Sequence, residues 1–220
     1  MAITIRSVGA IAIAVISIRV ASAQLEPKCV EDSPERHGGI GCSYVANKAL
    51  TGPLHEPLYW HIDRFDDEGK ARAAGGPNTV EFEGHGAWWL LSVESNVNDH
   101  HGGTHVNQVL LPPLPPASQY SILVISSYIP VGLTSRVHHH SGVEAFYVVD
   151  GEQCLETPTR AYPMKKGDVL VLPTGVTMQM VVTGAVPRRA IAVVIYDAAQ
   201  PPTTRTENPP PLMTCKQGQL

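Results

Sequence analysis

Charge is scarce in this 220-residue chain: Asp, Glu, Lys and Arg together make up 16% of it. The formal net charge is −4, and no basic stripe runs through the sequence. Nucleic acid and an anionic membrane surface are therefore excluded as main partners, because both need a clustered positive face. The chain also lacks an apolar run long enough to cross a bilayer. Val8 to Ile18 is too short, and Arg19 breaks the run at its end. No Cys-x-x-Cys pair is present, which argues against a redox or zinc-ribbon role. Heptads, solenoid repeats and helical stripes are missing too. What remains is a turn-rich composition, with 19 Gly and 19 Pro, that favours many short strands over long helices.

The apolar N-terminus reads as a secretory leader over residues 1–23. Arg6 supplies its positive start, and Ala21-Ser22-Ala23 fits the small-x-small cleavage rule. The mature chain then begins at Gln24, carries no membrane segment and is secreted or periplasmic. An uncleaved anchor is the alternative, which Arg19 disfavours. Cleavage removes Arg6 and Arg19 and makes the chain more acidic. Export also gives the four cysteines a purpose, since an even count in an oxidising compartment suggests disulfides. Cys29–Cys42 would close a loop containing Pro34, Gly38, Gly39 and Gly41. Cys154–Cys215 would tie the C-terminal tail back to the main body, unless Cys154 is a buried thiol within its strand.

Residues 24–115 form an N-terminal arm and β extension. Strand candidates there are Leu58–Ile62, Thr79–Glu83 and Ala87–Val93, the second with clear period-two alternation. Adjacent Trp88 and Trp89 place one ring toward a core and one outward. Asp66 to Lys70 reads as a polar turn. Asn96 to Asn107, with His100, His101 and His105, reads as a solvated loop rather than a metal cluster. Pro112-Pro113-Leu114-Pro115-Pro116 is an extended connector. Residues 116–198 are a regular series of short strands and turns, the pattern of an all-β sandwich or barrel. Residues 199–220 form a Pro-rich tail, extended along the surface or loose.

One stretch concentrates the chemistry. His138 and His140 are two apart, so a strand puts both imidazoles on one face. Ser141-Gly142 turns the chain, Glu144 opens the next apolar run, and Asp150-Gly151 offers the residues of a type I′ hairpin turn. Two imidazoles and a carboxylate across a tight hairpin make a site for one divalent first-row ion. A His-rich surface loop is the plainer alternative. His139 faces away, and Arg136 on the ligand face could hold a substrate carboxylate. Phe146 and Tyr120 are candidate pocket walls, with a core role favoured for both.

Gly132, His138, His140, Glu144 and Gly151 resemble the first motif of the cupin superfamily, Gly-x5-His-x-His-x3-Glu-x6-Gly. Gly167, Pro173 and Gly175 resemble the turn scaffold of its second motif. That motif expects His and Asn where this chain has Met178 and Val182. The resemblance covers about residues 119–197 and implies a single-domain, type-2-like jelly-roll barrel. It also implies a metal held by His138, His140 and Glu144, with Met178 in the fourth position. Met178 is then a core residue beside a three-ligand site, a soft axial ligand favouring copper, or the mark of a degenerate site. The ion is Fe, Mn, Zn or Cu. The function implied is a metal-dependent oxygenase, lyase or isomerase acting on a small organic molecule, and the alternative is a non-catalytic barrel that binds a small ligand or metal. A homodimer is the assembly that the resemblance suggests.

Overall fold

The computed structural model describes residues 39–215. The expected leader, the start of the expected arm and Cys29 lie outside the described residues, and with them one partner of the expected Cys29–Cys42 bond. In chain order the elements are β1 Gly41–Ala49, β2 Tyr59–Phe65, α1 Glu68–Ala73, β3 Thr79–Gly84, β4 Ala87–Glu94, β5 Thr104–Leu110, β6 Tyr120–Ile129, β7 His138–His140, β8 Val143–Asp150, β9 Glu152–Glu156, β10 Ala161–Lys165, β11 Val169–Leu172, β12 Gln179–Thr183, β13 Arg188–Asp197 and β14 Thr203–Arg205. The architecture is all-β and cupin-like, with that one short helix among the described residues.

A five-stranded sheet, ordered β1-β6-β13-β8-β11, lies at the centre. One face closes a barrel with the three-stranded sheet β10-β9-β12 and the two-stranded sheet β14-β7. Phe146, Val148, Leu155, Met178, Met180, Val182 and Ala192 line that interior. The other face packs on the four-stranded sheet β3-β4-β2-β5 of the N-terminal extension. Trp60, Ile62, Trp89 and Leu91 meet Ile122, Val124, Ala145 and Val193 there. Burial on both faces explains why β6 and β13 read as continuous apolar runs rather than alternating ones. Each fully buried Val, Leu, Ile, Phe or Met side chain there contributes about 1.5–3 kcal/mol relative to exposure. The proline connector separates two sheets but not two cores. The N-terminal arm itself supplies β1, which pairs with β6 from Gly41↔Tyr128 to Ala49↔Ser121.

Several local expectations change. Asp67 does not merely turn the chain: its side chain accepts from the Lys70 N–H and caps α1. Six residues are too few to leave a helical stripe in a sequence. The 96–107 segment is not wholly a solvated loop, because β5 begins at Thr104 and pairs with β2. Of the two tryptophans, Trp89 is core and Trp88 packs against a small cluster around Phe65 and Leu90. Asp150-Gly151 is not a type I′ hairpin. Gly151 has φ +76°, but His85 is the only non-glycine with positive φ among the described residues. Moreover β8 and β9 belong to different sheets, so this turn is a corner where the chain crosses from one barrel wall to the other. β7 and β8 do not form a hairpin either: β7 pairs with β14, and β8 with β11 and β13. The tail is thus not loose at Thr203–Arg205.

Two contacts hold these pieces in register. Cys154, fully buried in β9, is bonded to Cys215, with Cα atoms 6.2 Å apart and a sequence separation of 61. Gly142 turns β7 into β8 flat against β13. A Cβ there would press on the Ile195 carbonyl and lie 2.7 Å from Tyr196 Cα. Both are backbone atoms, so the turn itself must move. Gly142→Ala should lower unfolding stability by about 1–3 kcal/mol in denaturant titration. Cys215→Ala, measured the same way under non-reducing conditions, should lower it by about 2–4 kcal/mol. A reducing agent should shift the wild type in the same direction and narrow its difference from that variant.

Candidate functional site

His138 and His140 stand on β7, with His139 between them. The outer two rings meet edge to face, their centroids 4.9 Å apart at 89°. His139 turns away, its Nδ1 lying 3.4 Å from Thr206 Oγ1. The period of the strand thus places the two imidazoles together, as the spacing requires. Glu144 enters from the start of β8, across the Ser141-Gly142 turn. Its Oε2 lies 3.2 Å from His140 Nε2, and both side chains are about 5% exposed.

The other nitrogen of each ring is already engaged. His138 Nδ1 donates to the Arg136 carbonyl at 2.7 Å. His140 Nδ1 donates to the Pro202 carbonyl at 2.9 Å, with Thr203 Oγ1 at 3.1 Å. A carbonyl oxygen can only accept, so Nδ1 carries the hydrogen in both rings and the lone pair sits on Nε2. Backbone fixation of one imidazole nitrogen is the usual way to aim the other at a metal. His140 Nε2 and Glu144 Oε2 are both buried without a hydrogen-bond partner, so their short contact is close but not aligned as a hydrogen bond. Two donors roughly 2.0–2.2 Å from one ion stand about 2.9–3.5 Å apart at right to tetrahedral angles. The 3.2 Å separation of these two atoms falls in that interval. The chemistry of the free atoms therefore fits a divalent cation. As they stand, no three His, Cys, Asp or Glu side chains among the described residues are gathered closely enough to enclose one.

Burial depresses the pKa of His138, and the charge of Glu144 only partly opposes this. Burial depresses His140 as well, but Glu144's charge, its proximity and the Pro202 contact outweigh that and raise its pKa. The two rings thus differ in what they accept: His138 favours the neutral ligand form, and His140 attracts a positive charge.

Met178 stands beside His138. The two residues exchange backbone hydrogen bonds, His138 N–H to Met178 O at 3.0 Å and Met178 N–H to His138 O at 2.8 Å. Directly opposed residues share a face. Met178 is 1% exposed and belongs to the interior cluster, with Met180 and Val182 below it. Arg136 lies outside β7, which begins only at His138, so strand alternation does not aim it. Phe146 is in the barrel interior, whereas Tyr120 packs on the outer core and donates its hydroxyl to the Pro115 carbonyl at 2.7 Å.

Two buried polar groups are not evident from the sequence. His61 and Asp63, on one face of β2, are fully buried. Asp63 Oδ1 lies 2.9 Å from His105 Nδ1, and its Oδ2 accepts from the His101 N–H at 3.1 Å. The alternation Trp60-His61-Ile62-Asp63 inside an apolar run is the one clue to them. The other is Arg188, 3% exposed at the start of β13. Burial pulls its guanidinium down to about 9, with the charge of Glu144 opposing, so it remains a cation at neutral pH. A charge opening a long apolar strand is the clue there.

Residues 125–194 match the family described as Cupin domain. No curated protein matches the chain. Among solved structures it is similar to the DMSP lyase DddQ from Ruegeria pomeroyi DSS-3, at 20% identity and TM-score 0.34, covering 39% of this chain and 43% of that one. A cupin-like protein from Thermotoga maritima MSB8 matches at 18% identity and TM-score 0.34, over 40% of this chain and 64% of that one. The polyketide cyclase RemF from Streptomyces resistomycificus matches at 21% identity and TM-score 0.33, over 38% of this chain and 59% of that one. The chain thus spans less than two thirds of each of these relatives. Distant neighbours of this kind also include a dioxygenase and a sugar phosphate isomerase described as putative in its own name. The match to a cupin domain is confined to residues 125–194 of this chain.

Proposed function

We propose that the protein holds one divalent ion through His138, His140 and Glu144 and acts as a metal-dependent enzyme on a small organic molecule inside the barrel. The observation that carries this reading is the pair of orphaned, buried atoms His140 Nε2 and Glu144 Oε2. A buried carboxylate oxygen facing an imidazole lone pair calls for a cation between them. Bound there, the ion supplies Lewis-acid polarisation or, if it is iron or copper, an oxygenase's redox chemistry. The protein's own residues orient the ligand rings through Arg136 and Pro202, and the apolar wall of Met178, Met180 and Val182 excludes water. The Cys154–Cys215 bond fits an oxidising compartment, and together with the expected leader it supports reading the protein as secreted or periplasmic.

A second reading has its own support. Met178 occupies the place beside His138 where a fourth, harder ligand would serve iron or manganese better. A barrel with that wall could bind a ligand or a soft metal without catalysis.

Metal analysis of the purified mature protein separates the readings. About one ion per chain is expected, with iron, manganese or zinc favouring the enzyme and copper pointing to Met178. His138→Ala and Glu144→Gln should each weaken metal affinity at least as much as the roughly 10–100-fold typical of losing an outer-shell partner. Met178→His should strengthen it. Metal content near zero, unchanged in His138→Ala, would sink the proposal.

A further inference from the structure

We propose that Arg188 is the anchor for a carboxylate group on the molecule that enters the barrel. This rests on reading the barrel interior as the ligand site, but not on an ion being bound there. Arg188 lies opposite Ile129 of β6, and the next inward position, Ala190, lies opposite Ser127. Ile129 belongs to the interior cluster, so Arg188 projects to the same side. Its Nη1 donates to Ser127 Oγ at 2.7 Å, and Ser127 donates onward to the Ala190 carbonyl at 3.4 Å. Ser127 thus fixes one corner of the guanidinium. The Nε edge is buried and has no hydrogen-bond partner.

A guanidinium carries five N–H donors, and a buried one is normally matched by an anion. No carboxylate among the described residues pairs with Arg188. Glu144 is the acid whose charge reaches it, and it faces the same interior from opposite Val194, further along β13. The two charged groups are not in contact, although the charge of Glu144 is felt at Arg188. Nε with an adjacent Nη forms the side-on fork that recognises a carboxylate in two parallel hydrogen bonds. The wall between them is apolar, formed by Phe146, Val148, Ala192 and Met180. That combination suits an organic acid with an apolar body, held at its acidic end by Arg188.

The test uses the full mature chain stripped of metal, titrated calorimetrically at fixed ionic strength with two matched pairs, benzoate against benzamide and acetate against acetamide. At least one acid should bind saturably, about tenfold tighter than its amide. Arg188→Gln should abolish that preference while keeping the wild-type metal content. Equal binding of acid and amide, no saturable binding by either acid, or a preference that survives in Arg188→Gln would overturn the assignment. Should that variant fail to fold, the Arg188 Nε–H resonance of the wild type decides. It should shift with a carboxylate probe and stay fixed with the matching amide, and a resonance unmoved by both acids refutes the anchor. Metal analysis of the same preparations keeps the two proposals apart. A charge preference dependent on Arg188 in a chain that takes up no metal upholds the anchor and removes the ion. A metal-loaded chain with no such preference does the reverse.

Discussion

His140 is held between two oxygen acceptors, and the rest of the site depends on that. Its Nδ1 faces the Pro202 carbonyl at 2.9 Å and its Nε2 faces Glu144 Oε2 at 3.2 Å. A neutral imidazole has one hydrogen to give. Once Nδ1 has used it, the Nε2 lone pair confronts a carboxylate oxygen in a buried, poorly screened setting. Only a positive charge placed there relieves the repulsion, either a proton or a metal ion. The raised pKa of His140 is the proton's version of that answer, set by Glu144 against the opposing effect of burial. His138, depressed by burial and pinned at Nδ1, has no comparable pull on a proton. A cation shared with His138 and Glu144 satisfies all three groups together, which a single proton on His140 does not.

The distant parts of the chain serve this constraint. Pro202 and Thr203 reach His140 because β14 pairs with β7, Thr203 lying opposite His140. Further along the tail, the Met213 N–H bonds the Thr157 carbonyl at 2.8 Å and Cys215 is bonded to Cys154. The tail is therefore fastened beyond the point where it touches the site. From the other side, Gly142 lets the turn lie flat on β13 and brings Glu144 into range. The central sheet is stiff because both faces are packed, one by the barrel interior and one by the N-terminal extension. The extension covers the sheet that carries Glu144.

How much of this is legible in the sequence depends on what a linear pattern can record. The period of two puts His138 and His140 together, and Met178, Met180 and Val182 on one buried wall, because strand alternation is local. The glycine and proline scaffold of both motifs marks the barrel. Pairing partners are not legible. The spacing from His140 to Glu144 looks like a hairpin, but the chain passes between sheets there, and a strand far down the chain, β14, is the true partner of β7. The same limit makes Asp150-Gly151 look like a hairpin when it is a corner. Arg188 and His61 are hidden for a different reason. Each is a lone polar residue in an apolar run, and only the packing around it shows whether it is satisfied. His61 and Arg188 both keep buried nitrogen atoms without partners.

The interior's charge balance links the two ends of the barrel. Glu144 is the one carboxylate among the candidate ligands, and the imidazoles bind metal as neutral groups. With a divalent ion in place and Arg188 still cationic, positive charge inside the barrel exceeds negative. Burial makes that excess costly, and neither the methionine wall nor the surrounding aliphatic side chains can offset it. Cysteine thiolate is not available to do so, since no free cysteine is present among the described residues. On the proposed reading, the compensating charge comes from the molecule that enters. A neutral ligand would leave both the ion and the guanidinium undercompensated, whereas an acid neutralises one and lies along the path to the other. Met178, where the second motif expects a histidine, sharpens the same point: an ion held as proposed would have fewer protein donors, leaving more of its coordination and charge for the ligand to satisfy.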